Sequence, residues 1–423
     1  MIVLALNCGS SSVKYKLFFW EKRETITKGV VERIGIPGAF ISFSHPVKGE
    51  QKIEFECPDH RIALKKIIDT LIDKELGVIH ELQDIIAVGH RVVHGGEKFK
   101  SSTLINEEVL AAIKEVQDLA PLHNPPNIAG IEAAQEVLPN IPHIAVFDTA
   151  FHQTMPEYSF LYAVPYEWYG MYGVRRYGFH GTSHLYVSRR ASVLLNKPPL
   201  ETSLITMHIG NGVSITAIKE GISVDTSMGL TPLEGAVMGT RCGDIDPAII
   251  LFMIEKEGFY AEEIDSILNK KSGLLGITGK YMDRRDIEKA AADGDRRSQL
   301  AIEIESYKLR KYVGAYLAAL GKVDALVFTA GAGELNWKLR EKVLAGLEGL
   351  GIKIDRKKNE AAISRDKESL ISADDSALKV FVIPTDEEIV FIEDVVAILE
   401  GRYETHTHFT YSFEDPKYKR KTE

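Results

Sequence analysis

Apolar residues in this chain gather into short runs, and many of the runs end in a small, glycine-rich or acidic cluster. Residues 2–6 (IVLAL) predict a buried strand leading into Asn7-Cys8-Gly9-Ser10-Ser11-Ser12. Residues 12–19 predict a second strand, joined to the first by a tight Ser/Gly turn, and 27–34 a third. Apolar spacing over 61–76 predicts a helix, and 84–96 a strand running into a His/Arg/Gly loop. Residues 106–120 predict an amphipathic helix with Asn106 as N-cap, broken by PLHNPPN at 121–127. Residues 143–156 read as a strand followed by a loop.

A second round begins near residue 200. Residues 204–209, Gly210-Asn211-Gly212, 213–218 and 222–226 again predict strand, glycine turn, strand and strand. Both halves open with a hairpin whose turn is small and polar, which reads as a distant internal duplication. A long amphipathic helix is expected over 296–320, strands over 324–331 and 379–385, and a closing helix over 388–399. Strands alternating with helices predict α/β layers. Residues 401–423 have no clear period and predict a loose tail or a strap across the surface.

With 423 residues, about two or three domains are expected. The formal charge is 51 − 60 = −9, which argues against a general nucleic-acid binder because that function needs a basic face. No apolar stretch approaches the roughly 20 residues of a membrane span. Three cysteines without CxxC spacing, and an N-terminus that runs straight into a strand, lead us to expect a cytoplasmic protein. Cys8 and Cys242 are expected to be small buried fillers, since neither has an evident base beside it.

Parallel sheets gather ligands outside the carboxyl ends of their strands. Five clusters sit there by prediction: Asn7–Ser12, Asp148-Thr149, Gly210–Gly212, Gly331–Glu334 and Asp386–Glu388. Small residues let backbone N–H groups approach an anion, and strand-end acids can hold a metal. Together they suggest a nucleotide–Mg²⁺ site, although no GxxxxGK[ST] loop is present. Each turn alone could be an ordinary hairpin, Asn-Gly especially. Arg91 and Arg241 lie in glycine-rich loops suited to bidentate bonds with carboxylate or phosphoryl oxygens. His123 and His180 stand in polar loops, His180 just before a helix expected to be capped by Thr182 or Ser183.

The segments LNCGSSSVKYKL, GHRVVHGGEKF, VFDTAFHQTMP, RRYGFHGTSH, HIGNGVSI, DTSMGLTPLEGAVMGTRCGDIDPA, VFTAGAGE and PTDEE resemble those of the acetate kinase family over residues 2–400. The resemblance implies an α/β protein of two domains, each with a duplicated ribonuclease-H-like βββαβαβα core, and an active site in the interdomain cleft. The domains would be 1–150 plus 385–400, and 151–384, followed by the tail. It implies Mg-dependent phosphoryl transfer between ATP and acetate, with Mn²⁺ a substitute, in a homodimer. Asp148, Arg91, His180 and Arg241 would be catalytic. Asn7, Asp148 and Glu387 would form the metal set. Arg91, Val93, Leu122, Phe179 and Pro232 would hold acetate. Lys14, His208, Gly210, Asn211, Gly212, Asp283, Arg285, Gly331, Ala332 and Gly333 would hold the nucleotide, and His123 would be a further active-site histidine. The chain departs from the family pattern at Arg284, where an aromatic is usual, and at Leu335 in a GENS-like stretch. Propionate and butyrate kinases are near alternatives. An ATP-driven binding protein or filament former of the same superfamily is a distant one.

Overall fold

The first hairpin forms as the alternation requires. In the computed structural model, which describes residues 1–121 and 123–420, β1 (Ile2–Cys8) and β2 (Ser12–Phe19) pair antiparallel with Asn7 opposite Lys14 and Leu6 opposite Tyr15. Adding β3 (Glu24–Glu32), β4 (Phe40–His45), β5 (Gly49–Glu54), β6 (Ile85–Val92), β7 (Thr103–Leu104) and β8 (His143–Phe147) gives a sheet of order β5-β4-β3-β2-β1-β6-β8-β7. β6 runs parallel to both β1 and β8. This sheet belongs to a compact unit of residues 1–151, 386–412 and the segment from 419.

Side chains alternate across a strand, so each face of this sheet has its own partners. Leu4, Leu6 and Val88 bury one face with residues of helices His60–Leu71 and Asn124–Val137. On the other face lies helix Glu387–Leu399. A Cβ at Gly89 would fall 2.3 Å from the Phe391 ring, so only glycine admits the helix at that height.

The second unit comprises residues 152–385 and 413–418. Its strands are β9 (Leu204–Ile209), β10 (Val213–Lys219), β11 (Ile222–Thr226), β12 (Ala325–Thr329), β13 (Ser369–Leu370) and β14 (Lys379–Val382), in the order β11-β10-β9-β12-β14-β13. An antiparallel trio, two parallel strands and a short antiparallel edge therefore occur in both units, as the duplicated hairpin suggested.

Several bounds differ from expectation. The helix expected over 61–76 stops at Leu71, because Asp73 Oδ1 accepts from the N–H groups of Glu75 and Leu76 and turns the chain. Asn106 does cap Glu107–Glu115, but a 3₁₀ turn follows over Gln117–Leu119. PLHNPPN is more than a break, since helix Asn124–Val137 starts inside it. Pro125 and Pro126 sit in its first turn, where no N–H is needed. β12 ends at Thr329 and Ala330 opens helix Ala330–Leu335. Among its described residues the tail is packed rather than loose: His406, Phe409 and Tyr411 are buried in the first unit, and Phe413 packs on Tyr186 in the second. Among the described residues no helix is long and apolar enough to cross a membrane.

Candidate active site

In the first unit the register places one group of polar residues together. Asn7 faces Lys14 across the hairpin, and β6 runs alongside with His90 level with Leu6, which brings Arg91 beside Asn7 on the same face. Arg91 is level with Val146 on β8, so Asp148, two residues on, shares that face at the carboxyl edge. Arg91 Nε donates to Asp148 Oδ1 at 2.9 Å and Nη2 to Oδ2 at 2.7 Å, a bidentate pair. The Asp148 charge first, and Glu387 after it, holds the Arg91 guanidinium firmly protonated. Glu387 arrives on the first turn of the helix lying over this face, and its neighbour Glu388 pairs with Lys16. Lys14, expected among the nucleotide residues, is exposed here opposite Asn7.

The following loop is fixed from behind by two asparagines. Asn127 Oδ1 accepts from the Val93 N–H at 3.1 Å, while its Nδ2 donates to the Cys8 carbonyl at 2.7 Å. Asn124 makes both an accepting and a donating bond with the His94 backbone. The sequence reading missed both residues. Their i, i+3 spacing at a helix start was the available signal, obscured by the intervening prolines. Leu122 lies outside the described residues, and His123 is exposed at the head of the same helix.

In the second unit three loops meet. His180 has a left-handed backbone (φ 59°) and is itself the N-cap of helix Gly181–Leu194. The expected caps are occupied otherwise: Ser183 Oγ bonds His208 Nδ1 and Thr385 Oγ1, and Thr182 lies within the first turn. The imidazole is fixed by Ser214 Oγ at Nδ1 (2.9 Å) and by stacking on His208, with centroids 4.1 Å apart. Ser214 in turn meets His184 Nε2 at 2.7 Å, and His184 Nδ1 meets Thr206 Oγ1.

Glycines let Arg241 and the Asn-Gly turn approach. A Cβ at Gly212 would lie 2.8 Å from Arg241 Nη2 and 3.2 Å from His180 Cε1, so both side chains border the same turn. A Cβ at Gly239 would fall 2.0 Å from Asn211 Oδ1. Arg241 Nη1 donates to the Pro232 carbonyl at 2.6 Å, which fixes Pro232 beside the guanidinium. Burial lowers the Arg241 pKa, yet a guanidinium stays charged at neutral pH. The Phe179 carbonyl is in contact with His152 Nε2 at 3.0 Å.

Gly331, Ala332 and Gly333 lie in the short helix after β12, whose Thr329 is level with His208 on β9. Asp283 caps helix Arg284–Ala292 and pairs with the exposed Arg285 at 2.6 Å. That pairing pulls the Asp283 carboxyl down to about 2. Cys8 is a buried filler, its thiol pushed up to about 12 by burial and its Sγ 2.2 Å from where a Cβ on Gly130 would be, whereas Cys242 is only half-buried. Cys242 is likewise raised by burial.

The two units thus present strand-end carboxylates, arginines and glycine turns in the manner of an α/β phosphotransferase. The model of the acetokinase family matches residues 2–393. The acetate kinase of Geobacter sulfurreducens is 65% identical over 421 residues, covering 100% of both chains. The crystal structure of Porphyromonas gingivalis acetate kinase superposes with TM-score 0.90 at 49% identity, covering 94% of this chain and 99% of that one. A propionate kinase from Francisella tularensis superposes with TM-score 0.86 at 42% identity, covering 93% and 99%. The chain belongs to the acetokinase family.

Proposed function

We propose that this protein transfers a phosphoryl group reversibly between ATP and acetate, giving ADP and acetyl phosphate by direct in-line attack. The observation that carries the reading is the approach of Arg241 and His180 to Gly212 in a turn of phosphate-loop type. Acetate is already a competent nucleophile at neutral pH, so no general base is required. The protein's contribution is then positioning and charge stabilisation. Arg91, held by Asp148, orients the acetate carboxylate. Arg241 and His180 bind the equatorial oxygens of the phosphoryl group in flight. Val93, Phe179, Pro232 and Leu122 are the residues we assign to recognition of the acetate methyl group. Asn211, Gly212, His208 and Gly210 receive the phosphates. Asp283, Arg285, Gly331, Ala332 and Gly333 receive the nucleoside. Lys14 adds positive charge toward the phosphates.

Asn7, Asp148 and Glu387 would hold Mg²⁺. Among the described residues no three or more His, Cys, Asp or Glu side chains form a closed metal cage. An amide and two carboxylates on one sheet edge suit a hard cation that keeps several waters. When bound, Mg²⁺ (or Mn²⁺) neutralises charge on the nucleotide phosphates.

We place the enzyme in the cytoplasm as a homodimer. Exposed apolar side chains of the second unit, Tyr166, Trp168, Met171, Tyr172, Leu251 and Phe252, are suited to cover one another between copies. Val93 favours a small acyl group over the larger ones of propionate or butyrate. A methylene gives discrimination of only about 1–3 kcal/mol, so propionate is expected as a secondary substrate.

The test is ADP formation from Mg·ATP with acetate, propionate, butyrate or no acid, with hydroxylamine trapping of the acyl phosphate. Trapped acetyl hydroxamate and a higher kcat/KM for acetate support the proposal. ATP consumption indifferent to any carboxylate would move the reading to an ATP-driven binding protein. Arg241→Ala should lower kcat by roughly 10²–10³-fold; unchanged turnover would remove Arg241 from the mechanism.

A further inference from the structure

The guanidinium of Arg284 is nearly buried and makes three directed bonds. Nη1 donates to the Gly210 carbonyl at 2.7 Å. Nε and Nη2 both donate to Glu305 Oε1, at 2.8 and 2.5 Å. Glu305 is itself buried, 3% exposed, on the long helix Arg296–Leu320. Its charge is therefore an internal anchor for the arginine. A trans peptide carries its C=O and N–H in opposite directions. Fixing the Gly210 carbonyl toward Arg284 thus aims the Asn211 N–H away from the Arg284 side, out of the turn. Gly210 has no side chain to hold the peptide plane itself, and Asn211 is exposed.

We infer that Arg284, anchored by Glu305, is a positioning residue that sets the Gly210–Asn211 peptide plane so that the turn offers its N–H to a nucleotide phosphate. The inference rests on the nucleotide reading of this turn and adds a residue outside it. A charge-assisted bond is shorter and stronger than a neutral one, so an arginine here holds the plane more firmly than an apolar residue packed in the same place. The arginine also borders a cavity of about 130 Å³, lined in addition by Leu274, Ile287, Ile302, Glu288 and Asn336. Shortening the side chain would extend that space and leave a slot for a small guanidinium.

The experiment compares wild type, Arg284→Ala, Arg284→Lys and Glu305→Gln. Mg·ADP affinity is measured by titration calorimetry, and KM for ATP and for acetate by ADP formation. Arg284→Ala should weaken Mg·ADP binding and raise KM for ATP about ten-fold, the size of one lost charged hydrogen bond, while KM for acetate stays within about two-fold. Added methylguanidinium should recover part of the nucleotide affinity of Arg284→Ala, and Arg284→Lys should fall between that variant and wild type. If Arg284→Ala fails to fold, Glu305→Gln decides: a several-fold loss in Mg·ADP affinity supports the inference, and wild-type affinity overturns it. Equal losses for ATP and acetate, or no response to methylguanidinium, would reduce Arg284 to a structural ion pair and overturn it too. Wild type that binds no Mg·ADP would overturn the nucleotide reading, and this inference with it, whatever the variants do.

Discussion

Single atoms decide what this chain tolerates at its sheet edges. Gly89 is the clearest position, because a methyl there collides with the Phe391 ring. Gly89→Ala should destabilise the first unit by about 1–3 kcal/mol, the usual cost of overpacking, read as a lowered denaturant midpoint. The Ser214 hydroxyl is a different kind of position. It touches both His180 and His184, and so links β10 to the imidazole that meets Gly212. Ser214→Ala keeps the fold's shape but releases the ring, so kcat should fall roughly ten-fold with little change in KM for acetate. A change in KM alone would mean that the hydroxyl does not set the histidine. His180, Arg91, Arg241 and Asp148 were legible in the sequence as residue types set beside glycines and strand ends. Arg284 was legible only as an anomaly, because its partners are 74 residues back and 21 residues on.

At the scale of elements, local chemistry decided what could be read. The β9–β10 hairpin and the helix Arg296–Leu320 follow directly from an Asn-Gly turn and a long apolar stripe. Helix Arg284–Ala292 buries only Ile287, so no apolar stripe announces it. Helix Ala248–Glu257 has the opposite problem: it is apolar along most of its length yet buries no residue, so its period carries no face. The β4–β5 hairpin lies at the sheet's edge with a largely polar β5 and was not anticipated. Helix Asn124–Val137 was masked by its own prolines. Its Asn127 clips the ends of β1 and β6 together, which local propensity does not show. Removing that side chain in Asn127→Ala leaves a buried carbonyl and N–H unpaired, at about 1–3 kcal/mol. Thermal unfolding should register the loss, and a wild-type midpoint would show the clip to be redundant.

For the molecule as a whole, the tail governs stability against pH within the first unit. Asp394 is buried on helix Glu387–Leu399 and accepts from Ser102, Tyr411 and Tyr403, with His406 Nδ1 3.7 Å away and Glu393 adjacent in sequence. Burial outweighs these bonds and pushes its carboxyl up to about 7. Glu393, held by Ser412 and near Arg23, is raised in the same direction by burial. A raised folded-state pKa means that the folded protein keeps a proton the unfolded chain has released. Stability from Asp394 is therefore fully present below about pH 4 and is lost as pH rises toward about 7. Asp394→Asn removes this titration. The thermal midpoint of wild type relative to Asp394→Asn should fall between pH 5 and pH 8, and a constant difference would show that the carboxyl is not carrying a proton. Truncation at residue 401 takes away Tyr403, His406 and Tyr411 together, and should lower the midpoint more than Asp394→Asn does.

His180 and Ala330 are both non-glycine residues with left-handed backbones, at φ 59° and 62°, each leading into a helix. Such a conformation costs about 1–2 kcal/mol, and glycine would relieve most of it. Laboratory evolution under heat alone would accordingly be drawn to glycine at both positions. At 330 the exchange gives up one methyl group. At 180 it discards the imidazole, so a lineage selected only for surviving high temperature would drift toward a sturdier protein that no longer turns over.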